Sequence, residues 1–284
     1  MACGLQKLGV LQNQVVLILL PNTILYPVIF LGALSMGAVA TTMNPLSSPE
    51  EIKKSMKGCK LATIFTTFDN MAKVEELGIG VVPVPETINF DSRKFSLFDW
   101  ILSSDPKQFL KPKIKQTDTG AILHSSGTSG FSKGVVLTHG NLIAVVELFV
   151  RFEASQYKEQ SWENVYLAAL PMFHVYGLSL FTMGLLSLGS TIVVMRRFDV
   201  EEAVRAIGKF KVTHFPVVPP ILGALGRAKH ANGSNLRSLK QVSCGAAPLS
   251  KKLIHDFLKI FPHVDMIQVM QILDTIYLLC LICS

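Results

Sequence analysis

Apolar residues in this chain are gathered into short unbroken runs, each closed by a polar or Pro/Gly turn. Residues 15–20 (VVLILL) form such a run, stopped by Pro21-Asn22, as expected of a strand buried on both faces in a parallel sheet. Residues 28–39 follow with small residues at Gly32, Ala33, Ser35, Gly37 and Ala38, and predict a closely packed helix. Pro49-Glu50-Glu51 opens a second helix with acids at its positive end. Further strands are predicted at 61–66, 81–84, 121–125, 165–169, 191–195, 214–218 and 241–244, and further helices at 141–152, 200–210, 221–230 and 251–261. Residues 86–117 read as a polar connection. Repeated strand–helix alternation predicts an α/β fold with largely parallel sheets. Ligands of such folds sit outside the carboxyl ends of strands. Three polar, glycine-bearing loops fall at such ends: 124–134, 171–177 and 244–248.

The 284 residues suit one large domain or two moderate ones. A net charge of +7 rests on scattered Lys and Arg with no basic block, so nucleic acid is not an expected partner and small polyanions are. Lys111, Lys113 and Lys115 alternate with other residues and read as a solvated linker. The five cysteines lack metal-ligand spacing apart from the terminal Cys280-Leu-Ile-Cys283, which has no second pair, so unpaired thiols in a reducing compartment are expected and no protein metal centre. Residues 8–49 carry no charge, yet Asn13, Gln14, Pro21, Asn22 and Pro27 interrupt them well short of the ~20 apolar residues of a spanning helix. A cytoplasmic location is expected, without membrane attachment; the chain ends in Ile-Cys-Ser rather than a peroxisomal Ser-Lys-Leu.

The stretch SSGTSGFSKG (125–134) concentrates groups that can wrap a phosphate. Gly127 and Gly130 permit the left-handed backbone of an anion nest, Ser125, Ser126, Thr128 and Ser129 carry hydroxyls, and Lys133 carries a full positive charge. It is not a Walker loop, because the glycine before Lys133 and the hydroxyl after it are replaced by Ser132 and Gly134.

From Ser125 through Thr138-His139-Gly140-Asn141 the chain resembles the signature SSGTTGxPKGVxxTHxN of the adenylate-forming, AMP-binding superfamily. LPMFHVYG (170–177) and SCGAAPLS (243–250) agree with that family in order and spacing. LLPN (19–22), GAL (32–34), Asn44-Pro45 and PVVPP (216–220) look like its plant 4-coumarate:CoA ligase and ligase-like branch. Ser129 stands for the usual second threonine and Ser132 for the usual proline.

The resemblance implies a fold, namely the parallel-sheet subdomains of the large N-terminal domain, with a boundary near 110–120. It also implies a two-step reaction, in which a carboxylate attacks the α-phosphate of ATP and CoA then displaces AMP. ATP, Mg2+ and CoA are the implied cofactors, and a small carboxylate of cinnamate or fatty-acid type is the implied substrate. Ser125, Ser126, Gly127, Thr128, Ser129, Gly130 and Lys133 would hold the ATP phosphates, and His174 would be catalytic, orienting carboxylate and α-phosphate. Gly245, Ala246 and Gln268 would meet the adenylate, Tyr176 and Ala246 the acyl group, and Arg197 CoA.

The resemblance runs from about Leu5 to Gln268. Where the family continues Gly-Tyr-Gly-Met-Thr-Glu, this chain reads VMQILDTIYLLCLICS, an apolar tail over 269–284. The expectation is a truncated isoform without the C-terminal domain or its adenylation lysine. Two functional readings follow: a ligase, or a catalytically silent nucleotide-binding or regulatory fragment that associates with longer relatives.

Overall fold

The computed structural model describes residues 1–86, 96–125, 133–156, 163–228, 236–272 and 277–282. The chain divides into two compact units, Met1–Ile143 and Ala144–Ser284.

The first unit holds helices α1 (Ala2–Lys7), α2 (Tyr26–Ser35), α3 (Pro49–Ser55) and α4 (Leu97–Leu102), and strands β1 (Val15–Leu19), β2 (Val39–Thr42), β3 (Leu61–Thr66), β4 (Val81–Pro83), β5 (Thr119–Ser125) and β6 (Lys133–Thr138). Its sheet runs β4-β3-β1-β2-β5-β6. Every neighbouring pair is parallel except β5 and β6. The central strand β1 is buried at all five positions, which is why its sequence is apolar without alternation.

Three expectations are corrected here. The helix placed at 28–39 spans Tyr26–Ser35, and Val39–Thr42 is instead the strand β2. Gly37 makes the break between them: it adopts φ +71°, the left-handed turn that ends a helix without a Cβ penalty. The connection at 86–117 contains α4, started by a capping box in which Ser96 accepts from the Asp99 amide and Asp99 accepts from the Ser96 amide. No strand is expected at 133–138, yet Lys133–Thr138 forms β6 and returns antiparallel beside β5.

The helix after that hairpin, α5 (His139–Gln156), starts ahead of the expected 141. Its start explains the THGN part of the signature. Thr138 Oγ1 lies 2.9 Å from Asn141 Oδ1 and accepts the Asn141 amide at 3.1 Å, while Asn141 Oδ1 accepts the Thr138 amide at 3.0 Å. That reciprocal box fixes where strand turns into helix.

The second unit continues with β7 (Val165–Ala168), a helical passage of α6 (Val175–Gly177), a π-helical turn (Leu178–Gly184) and α7 (Leu185–Ser187), then β8 (Thr191–Val194), α8 (Val200–Phe210), β9 (His214–Val217), α9 (Pro219–Arg227), β10 (Gln241–Cys244), α10 (Lys251–Ile260), β11 (Asp265–Ile272) and β12 (Tyr277–Ile282). The sheet runs β12-β11-β10-β9-β7-β8, parallel apart from β12. The helix expected at 221–230 is α9, which opens on Pro219 and ends at Arg227. No helix among the described residues is long and apolar enough to cross a membrane.

Candidate active site

In the second unit the chain passes from β7 to its neighbour β8, then crosses to the other side of β7 to lay down β9, β10 and β11. The order therefore reverses at β7, and the crevice beyond its carboxyl end is where an open parallel sheet accepts a ligand. LPMFHVYG occupies that position.

The local geometry explains the motif. The His174 amide donates to the Pro171 carbonyl at 3.2 Å, and the Leu178 amide donates to the His174 carbonyl at 2.9 Å, so the loop turns directly into helix. Gly177 is required by close approach, since a Cβ there would lie 2.2 Å from the Pro171 carbonyl oxygen. The turn presents His174 at the surface, while Val175 and Tyr176 are buried. Although the His174 side chain reaches solvent, the protein around its ring removes enough hydration to lower its pKa below the ordinary 6.5, which leaves a neutral imidazole at neutral pH.

Tyr176 is 5% exposed, and its hydroxyl donates to the Ser243 carbonyl at 3.5 Å, near the limit of a hydrogen bond. It thereby joins the loop after β7 to the last turn of β10. At that end the Gly245 amide donates to the Val217 carbonyl of β9 at 3.1 Å, and Gly245 is buried. Ala246 follows with φ +65°, a left-handed conformation that costs a non-glycine residue ~1–2 kcal/mol. Its small side chain is exposed. Strain of this kind clusters where backbone shape serves a ligand.

Gln268 lies in β11 directly opposite Cys244 in parallel register and is half-buried, one strand over from Gly245. Arg197 is exposed just past the end of β8. The carboxyl ends of β7, β8 and β10 thus bring His174, Tyr176, Arg197, Gly245 and Ala246 to one edge of one sheet, with Gln268, midway along β11, in register with the end of β10.

In the first unit, Ser125 and Lys133 are register partners at the mouth of the β5–β6 hairpin, and Lys133 is exposed. Ser126, Gly127, Thr128, Ser129 and Gly130 lie outside the described residues. β5 ends at Ser125 and β6 begins at Lys133.

Two residues at the loop's root carried no sequence signal. The Thr41 hydroxyl of β2 donates to the Ile122 carbonyl at 2.9 Å, so its oxygen accepts from His124 Nε2 at 3.2 Å. That assigns His124 the Nε2–H tautomer, and burial lowers its pKa. Their pairing depends on β2 lying beside β5, 81 residues apart in sequence for Thr41 and Ile122.

No group of three or more metal-ligating side chains forms among the described residues.

Comparison with known proteins agrees with this geometry. The model of the AMP-binding enzyme family matches residues 1–272. The chain is 56% identical over 272 residues to 4-coumarate--CoA ligase-like 6 of Arabidopsis thaliana, covering 94% of this chain and 48% of that protein. It is 53% identical over 285 residues to 4-coumarate--CoA ligase-like 3 of Oryza sativa subsp. japonica, again covering 94% and 48%. The chain therefore spans about half the length of these curated relatives. The crystal structure of ATP-bound MatB from Rhodopseudomonas palustris superposes with a TM-score of 0.83 at 19% identity, over 99% of this chain and 55% of that one, which establishes the shared fold. With the family model matching residues 1–272 and so reaching into both units, the chain belongs to the AMP-binding, adenylate-forming enzyme family.

Proposed function

We propose that the chain acts in ATP-dependent activation of a carboxylate and its transfer to CoA. The observation that carries the reading is the placement of His174, Tyr176, Gly245 and Ala246 at the carboxyl edge of one sheet, around its reversal point, with Gln268 in register with the end of β10. In the first half-reaction a carboxylate oxygen bonds to the α-phosphorus of ATP, and the bond to the β-phosphate oxygen breaks to release pyrophosphate. Two anions must approach, so the barrier is chiefly electrostatic. Lys133 and the Ser/Gly loop would bind the β- and γ-phosphates and offset the charge gathering on pyrophosphate. His174, neutral and turned outward by its loop, would donate one N–H hydrogen bond to the carboxylate or an α-phosphate oxygen without holding a charge of its own.

The left-handed turn at Ala246 would present backbone and a methyl group to a flat adenine or acyl ring, and Gln268 would add an amide beside it. Tyr176, tied to Ser243, would form the acyl-side wall. In the second half-reaction the CoA sulfur forms the thioester bond and AMP leaves; exposed Arg197 suits the phosphates of CoA. ATP enters as its magnesium complex, a substrate rather than a resident group. A 4-coumarate or related aromatic or fatty acid is the acyl class we propose, in the cytoplasm.

Carboxylate-dependent pyrophosphate release, measured with a panel of cinnamates and fatty acids, tests this. Release that disappears in His174→Ala is the expected result. ATP binding without any release would instead favour a silent nucleotide-binding or regulatory fragment.

A further inference from the structure

Parallel and mixed sheets end in strands whose outer N–H and C=O groups face no partner, and proteins blunt such edges with short length, charge or proline. Three of the four edges here are blunted. β4 is only three residues long and ends in Pro83. β6 begins with the exposed pair Lys133-Gly134. β8 is four residues long, and past Met195 the chain continues with the exposed pair Arg196 and Arg197.

The fourth edge, β12, has none of these devices. It is six residues long, reads YLLCLI, and sits last in its sheet with β11 on one side and no strand on the other among the described residues. Residues 275–284 contain no Asp, Glu, Lys, Arg or Pro. Its pairing with β11 runs without a register shift from Ile267↔Ile282 to Ile272↔Tyr277, so no bulge twists the edge away.

We propose that β12 is a self-association strand, pairing antiparallel with β12 of a second copy of this chain about a two-fold axis and joining two six-stranded sheets into one. An antiparallel pair of identical strands is self-complementary, since each residue that offers N–H and C=O outward meets the same pattern running the other way. Charge permits it: a charged strand paired with its own copy sets like charges near one another, and this strand has none. The match closes, because each copy uses once the one edge left unblunted among its described residues. This goes beyond the ligase reading and does not depend on it.

The test is light scattering on the full chain across a dilution series, with hydrogen exchange at 277–282. We expect twice the chain mass, protection of amides facing β11 and of those facing outward, and a dissociation constant raised about tenfold or more in Leu278→Lys/Leu279→Lys. In that variant the outward amides should exchange freely while the circular dichroism of the rest is kept. Thr191→Lys, on the opposite edge of the same sheet, should leave the dimer intact. A monomer at every concentration, assemblies growing past two copies, a dimer unchanged by the two lysines, or a dimer broken by Thr191→Lys would each overturn the proposal.

Discussion

The Tyr176 hydroxyl reaches the carbonyl oxygen of Ser243 at 3.5 Å, so the loop that presents His174 is tied to β10, the strand that leads into Gly245 and Ala246. Because the bond is long, the ring matters more than the hydroxyl. Tyr176→Phe should cost under about 1 kcal/mol in chemical denaturation, whereas Tyr176→Ala should cost about 3–5 kcal/mol through the cavity it leaves. Under the proposed function, only the alanine variant raises the KM for the carboxylate tenfold or more.

Gly177 is set by space. Adding a methyl group would place it 2.2 Å from the Pro171 carbonyl oxygen, which is backbone and has no rotamer to yield. Gly177→Ala should lower stability by about 1–3 kcal/mol by urea titration. It should also reduce pyrophosphate release at least tenfold by displacing His174, since the amide of His174 bonds to that same proline carbonyl.

The pKa of His174 is lowered by burial, so the imidazole stays neutral down to a pH below its ordinary 6.5. If neutral His174 serves adenylation, kcat/KM for pyrophosphate release is flat near neutrality and falls on acidification with a midpoint below 6.5. An acid limb centred above 6.5 would contradict that assignment. His174→Ala should lose both the activity and the limb.

His214 is 1% exposed, stacks on Tyr166 at 4.5 Å between ring centroids, and shares a 2.8 Å hydrogen bond between Nδ1 and Thr213 Oγ1. Burial pushes its pKa down to about 4. The folded chain then binds fewer protons than the unfolded chain between about 4 and 6.5. Its contribution is whole above 6.5 and is lost as pH falls through that window, for a total on the order of 3 kcal/mol. Denaturation at pH 7 and pH 4.5 should show most of that difference. His214→Phe should remove it.

The sequence alone carried the fold class and the chemistry of the loops. Unbroken apolar runs such as 15–20 mark strands buried on both faces, and the composition of the Ser/Gly/Lys loop is the ground for proposing it as a phosphate cradle. It also placed His174, Tyr176 and Gly245 at strand ends, because in a parallel sheet every strand end is on the same side. The strands β2, β6, β11 and β12 escaped it: only Met36, Gly37 and Ala38 separate β2 from the helix before it, β6 begins inside the signature itself, and β11 and β12 follow the last predicted helix.

Tertiary structure decided what depends on neighbours. Strand order put the reversal point at β7, and thereby made the loop of His174 central. It set Thr41 beside His124 and Ser243 under Tyr176, contacts between residues far apart in sequence whose types, taken singly, predict nothing. It also made a strand, β12, of the apolar run expected only as a tail, and left it last in its sheet with no strand on its outer side among the described residues. A local pattern fixes which face of an element is apolar, but only the packed sheet determines what each face and edge encounters.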